Sequence, residues 1–162
     1  MSAELIHRHF IAVPDAAMPV PVESIVDAID GLIDDFALLG EWEARYQYII
    51  DQGRALPPLP ADTQVDAHKL HGCQSQVWLV AFVQDGRMFI RALSDAAIVS
   101  GLIALLLRVY DGRTPAEITA TSSNFLARLG LDAHLSPTRR NGLAAMVTAI
   151  QTIAQHTQAE AA

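Results

Sequence analysis

Apolar positions between Val22 and Phe36 recur at steps of three and four, through Ile25, Val26, Ile29, Leu32 and Ile33. Asp27, Asp30, Asp34 and Asp35 take the other faces, so the period predicts an amphipathic helix. A second helix is predicted from Glu41, with Trp42, Tyr46, Ile49 and Ile50 on one stripe and a stop near Gly53. The prolines of Leu56-Pro57-Pro58-Leu59-Pro60 then break regular structure, because proline fixes φ and lacks an amide donor. A long connection is expected to continue to about His68. At Val77 the pattern changes. Val77–Val83 is a run of strand length rich in β-branched and aromatic residues. Asp85-Gly86 supplies a tight hairpin turn, and Met88–Leu93 returns. Brief pairing around Lys69-Leu70 is expected to add a third strand.

Downstream, Ser94 is expected to cap a buried helix over Asp95–Tyr110, ended by Asp111-Gly112. Thr114-Pro115-Ala116-Glu117 matches a capping box with proline at the first helical position. A short helix over Ser123–Leu129 should close at Gly130, and Ser136-Pro137 should open a last helix. Its apolar stripe is Leu143, Met146, Val147, Ile150, Ile153 and Ala154. Helices, a small antiparallel meander, then helices again define an α+β fold: a three-stranded sheet packed against helices. Residues 1–21 hold Pro14, Pro19 and Pro21 without sustained period and read as a flexible or loosely docked arm, leaving one domain over residues 22–158.

Composition narrows the function. The chain has 162 residues, 51% hydrophobic and 18% charged, enough for one core without disulfide or metal support. A net charge of −7, with 11 basic residues and no basic stripe, argues against non-specific nucleic-acid binding. The first twenty residues show no apolar signal-peptide core. Ala96–Leu107, the most apolar segment, is far shorter than the about 20 residues of a membrane span. A single cysteine cannot form an internal disulfide and suits a reducing compartment, so a cytoplasmic location is expected.

That cysteine, Cys73, lies between Gly72 and Gln74 in a polar loop before the first strand. Gly72 permits backbone conformations closed to other residues. Gln74, Ser75 and Gln76 offer donors to a sulfur anion, and His71 and Lys69 are placed to lower the thiol pKa. A lone cysteine is also commonly a small buried hydrophobe, and position alone leaves both readings open. His68, His71 and Cys73 have metal-like spacing, but a structural zinc needs four ligands, commonly several cysteines. A thiol hydrolase would require an oriented base and an oxyanion hole that no motif supplies. Thioredoxin-like chemistry lacks its Cys-x-x-Cys, and no phosphate-binding glycine loop occurs.

The string Gly72-Cys73-Gln74-Ser75-Gln76-Val77-Trp78 resembles the signature of the SufE family of sulfur acceptors, which includes the related CsdE branch. The likeness continues through Trp42-Glu43, Arg45-Tyr46 and Tyr48-Ile49-Ile50, then Ser94–Val99 with Gly101–Ala104. It ends with His134–Pro137, Arg139 and Gly142-Leu143, and so covers roughly residues 32–152. The resemblance implies a SufE/IscU-like fold and a carrier without turnover of its own. The cysteine matching Cys73 would take sulfane sulfur from the persulfide of a cysteine desulfurase (SufS/CsdA-like), stimulate that enzyme, and pass the sulfur to an Fe–S scaffold complex (SufBCD-like). It implies no resident cofactor. The desulfurase carries pyridoxal phosphate, and Lys69, the only lysine here, has no cofactor signature around it. Asp95 matches a family acid that influences loop accessibility and partner docking; on residue type alone it is a charge at the positive end of a helix. Arg139 matches a family arginine at the partner interface or near the cysteine, and weak self-association is also implied. His71, Gly72 and Gln74 complete the candidate set. The alternative is a stand-alone enzyme with Cys73 as nucleophile.

Overall fold

The computed structural model describes residues 6–161. Helix α1 spans Ile25–Leu39, opened by Ser24, whose hydroxyl accepts the Asp27 N–H at 3.1 Å. It buries Ala28, Leu32 and Phe36, leaves Val22 and Val26 exposed, and stops at Gly40 with φ 71°. Helix α2 spans Trp42–Arg54 and ends within one residue of the expected stop near Gly53. The glycine has another role. A Cβ there would lie 2.5 Å from the Gly101 backbone nitrogen, and one at Gly101 would lie 2.2 Å from the Ile49 carbonyl oxygen. The pair lets α2 cross the core helix α3 (Ala97–Tyr110) backbone to backbone.

After two 3₁₀ turns (Ala61–Thr63 and Asp66–His68), strands β1 (Val77–Gln84) and β2 (Arg87–Ser94) form an antiparallel hairpin. Its two-residue turn places Asp85 and Gly86 at φ 52° and 77°, the mirror-image geometry that matches strand twist. The expected third strand is reduced to a single bridge, Lys69 to Trp78, with Leu70 N–H donating to the Val77 carbonyl at 2.9 Å. The 3₁₀ turn before Lys69 and the left-handed Gly72 after Leu70 leave too little extended chain for a longer ladder. Among the described residues the sheet is therefore two-stranded.

The rest of that β1 edge is taken by the N-terminal segment. Ala81 N–H donates to the His9 carbonyl at 2.8 Å, and Ile11 N–H donates to the Ala81 carbonyl at 3.0 Å. Ile6 and His9 are buried, and His9 Nδ1–H donates to the Leu79 carbonyl at 2.9 Å. Further along, Gln84 is hydrogen-bonded to Met18 N–H and to the Pro14 and Ala16 carbonyls. Much of the stretch read as an arm thus lies against the sheet, held by backbone groups that periodicity does not report.

One face of the sheet rests on α3, which starts two residues later than expected because Ser94 still belongs to β2. The Ser94 hydroxyl accepts Ala96 N–H at 3.2 Å, and Ser100 Oγ–H donates to the Ser94 carbonyl at 3.1 Å. Helix α4 (Pro115–Thr119) has the expected capping box. Two four-residue helices follow, α5 (Phe125–Arg128) and, unanticipated, α6 (Leu131–His134), joined through Gly130 at φ 79°. The last helix, α7 (Pro137–Ala161), buries Leu143, Met146, Ile150, Ile153 and Ala154 as its stripe requires. Among the described residues, no helix is long and apolar enough to cross a membrane.

Candidate functional site: a sheltered thiol

The loop from His71 to Gln76 is fixed at both ends. At its start, Leu70 is buried and bonded to β1, and Gly72 turns the chain at φ 88°, where an L side chain is strained. At its end, the Asp95 carboxylate accepts Gln76 N–H at 3.0 Å, while Asp95 N–H donates back to the Gln76 carbonyl at 3.3 Å. This reciprocal pair ties the loop to the start of α3. Asp95 is exposed and lies just ahead of that helix, so its charge also faces the positive end.

Between these anchors Cys73 turns its half-buried side chain inward, against the first turns of α7 and α3. A cavity of about 30 Å³ opens beside Sγ, with Val99, Leu102, Leu143 and Met146 as its apolar wall. A water molecule needs about 10–15 Å³ by this measure, so the space admits one further atom of sulfur size. The thiol donates a long hydrogen bond to the Gly142 carbonyl at 3.8 Å. A Cβ on Gly142 would stand 3.8 Å from Sγ, in ordinary contact, so glycine here contributes space more than clearance.

Burial pushes the Cys73 thiol above the ordinary cysteine pKa, because the site disfavours the anion. The expected lowering by Lys69 and His71 does not occur. Lys69 Nζ is engaged by Asp66 at 3.0 Å and lies over the Trp78 ring at 5.7 Å, and His71 is exposed. Gln74 is exposed on the cavity rim, and no side chain of the loop donates to Sγ among the described residues. His68 does not join the thiol either, since its Nδ1 is bonded to the Thr63 carbonyl. Arg139 does reach the site: it is exposed, lines the cavity, and makes no ion pair within 4.0 Å among the described residues.

The structure therefore brings Cys73, Gln74 and Arg139 around one cavity, ties Asp95 to the loop's end, and leaves His71 outside. Sequence reasoning missed Val99, Leu102, Gly142 and Met146 as the thiol's shelter. The Asp95–Gln76 contact was within reach: from the Gln84–Arg87 pair that flanks the turn, counting back eight residues on each strand sets Gln76 opposite Asp95.

Fold and site together define a small α+β protein that carries one thiol folded under a helix-lined cover. The chain belongs to the SufE family: residues 30–154 match the model of the SufE, Fe-S metabolism associated domain. An uncharacterised SufE-like protein of Rhizobium meliloti is 40% identical over 133 residues, covering 79% of this chain and 95% of that protein. A second, from Rhizobium etli, is 39% identical over 139 residues, covering 83% of this chain and 94% of its own length. The solution structure of a hypothetical protein from Thermus thermophilus shares the fold, with a TM-score of 0.69 at 22% identity over 87% of this chain and 99% of that one.

Proposed function

We propose that this protein accepts a persulfide sulfur on Cys73 from a cysteine desulfurase, stimulates that enzyme, and passes the sulfur to an Fe–S scaffold. The observation that carries the reading is the inward thiol beside an apolar space large enough for one more sulfur atom. In the transfer step the Cys73 thiolate attacks the terminal sulfur of the partner's cysteine persulfide. A new S–S bond forms at Cys73, the partner's S–S bond breaks, and its electron pair leaves on the partner's thiolate, which takes up the proton. No net oxidation occurs, so no second cysteine of this chain is required.

The resting position protects and restrains. Inward, the thiol is neutral and unreactive, because the thiolate is the nucleophile and burial disfavours it. Docking of the partner would turn the loop outward about Gly72, and after transfer the persulfide would return to the cavity, out of reach of other thiols. Arg139, exposed at the rim, would meet the partner or the outward sulfur anion. A stand-alone thiol enzyme is less well supported: the hydrogen-bond partner of Sγ is the Gly142 carbonyl, which cannot take a proton.

Adding the protein to a desulfurase and cysteine should raise sulfide release, while the protein alone shows no turnover. Cys73→Ser should still bind the desulfurase but lose the stimulation. Full stimulation by Cys73→Ser would refute the reading.

A further inference from the structure

Far from the thiol, His156 and Glu160 stand one turn apart near the C-terminal end of α7. A His–Glu pair at this spacing is an ordinary helix-surface contact. Two observations set this one apart. The first is a third donor distant in sequence. His7, from the N-terminal segment, places Nε2 3.9 Å from Glu160 Oε1, and His156 places Nε2 3.1 Å from the same oxygen. One donor atom from each residue lies within 4.8 Å of the other two. The second is that His156 Nε2 is buried without a hydrogen bond among the described residues; Glu160 is near enough for an ion pair but wrongly directed for a bond. The two imidazoles meet edge to face at 4.7 Å, and the Phe10 ring packs 6.3 Å and 6.4 Å from them.

The geometry points to a divalent transition-metal site, of the kind that takes Zn²⁺, formed by His7, His156 and Glu160 and completed by water. Two imidazoles and one carboxylate suit zinc and its neighbours, whereas Mg²⁺ and Ca²⁺ favour oxygen donors throughout. Donors about 2.0–2.1 Å from a tetrahedral ion stand about 3.3 Å apart, and the separations of 3.1 and 3.9 Å bracket that value. His156, with a side chain 17% exposed, is the fixed member. His7 and Glu160, 57% and 59% exposed, are free to rotate and close the set. A bound ion would join the N-terminal segment to the end of α7. Because His9 and Ile11 of that segment pair with Ala81, it would also hold the covered edge of β1 in place.

The test is Zn²⁺ titration of the untagged full-length chain by calorimetry and native mass spectrometry, on a Cys73→Ser background that removes the competing thiolate. One equivalent should bind. His7→Ala, His156→Ala and Glu160→Gln should each abolish that stoichiometric binding while the metal-free circular dichroism stays unchanged. Zn²⁺ should raise the thermal midpoint of the Cys73→Ser chain and chelator should reverse the rise, with no such response in Glu160→Gln. Co²⁺ should give tetrahedral d–d bands without a thiolate charge-transfer band. Failure of the Cys73→Ser chain to bind Zn²⁺ at micromolar concentration, or binding undiminished by Glu160→Gln and His7→Ala, would overturn the assignment. Glu160 and His7 are exposed enough that their variants will fold even if His156→Ala does not.

Discussion

Replacing Asp95 by alanine removes the carboxylate that accepts Gln76 N–H while leaving the cavity walls untouched. The bond holds the end of the Cys73 loop in the inward position, and an outward loop is expected to lose it. Its loss therefore shifts the balance between inward and outward thiol by the free energy of that one contact. The acceptor is charged, which strengthens the bond, but Asp95 is exposed, which weakens it. A net contribution of about 0.5–1.5 kcal/mol follows. Taking about 1 kcal/mol, the outward population rises about fivefold. Alkylation of Cys73 by iodoacetamide, followed by intact mass at neutral pH, reads that population directly when opening is fast relative to modification. Asp95→Ala should react about fivefold faster than the parent, and Asp95→Asn should stay near the parent rate, because its side-chain oxygen can accept the same bond. If Asp95→Ala lowers the unfolding midpoint yet leaves the alkylation rate unchanged, the carboxylate supports the fold and is no latch on the loop.

Four further outcomes follow from the same geometry. Gly142→Val directs its branches into the cavity of about 30 Å³ beside Sγ; alkylation should quicken and a loaded persulfide should be lost faster to added thiol, whereas unchanged persulfide lifetime would show that the cavity does not shelter it. Because burial raises the folded-state pKa of Cys73, its alkylation should keep climbing with pH beyond the point where a free cysteine levels off. By linkage, stability from the neutral buried thiol is fully present below the unfolded pKa and is lost as pH rises through the folded one, so Cys73→Ala should flatten the alkaline decline seen in urea unfolding. An identical alkaline slope in parent and variant would contradict this. Gly101→Ala would press a methyl to 2.2 Å from the Ile49 carbonyl oxygen, where backbone must move, and should destabilise by about 1–3 kcal/mol in urea unfolding; no change in midpoint would refute the close α2–α3 crossing.

The sequence carried the fold wherever the information was local. Periodicity placed α1, α2 and α7, the capping signal and apolar run placed α3, and the Asp85-Gly86 turn fixed a hairpin register that runs without a bulge to Val77 and Ser94. It failed where a residue answers to something far away in the chain. Gly53 marks the end of α2 to within one residue, but its close contact with Gly101 was not legible. Residues 6–11 have no period because they are held by the backbone of β1. Lys69-Leu70 looks like a strand, yet its neighbours on both sides bend away. At the site, the motif singled out Cys73 but not its ionisation. Lys69 and His71 suggest an activated thiolate by adjacency, while the true surroundings are apolar side chains from helices 26 to 73 residues further on in sequence, Val99 to Met146. Burial outweighs adjacency here, because desolvation acts on the thiol directly whereas the Lys69 charge is already engaged by Asp66.

The central claim is that Cys73 receives and holds a sulfur atom. Intact-mass analysis of the full-length chain after incubation with a cysteine desulfurase and cysteine tests it most directly. The expected result is a gain of one sulfur atom on Cys73, removable by dithiothreitol and absent from Cys73→Ser. A mass unchanged under conditions where the desulfurase turns over, or sulfur acquired equally by Cys73→Ser, would contradict it.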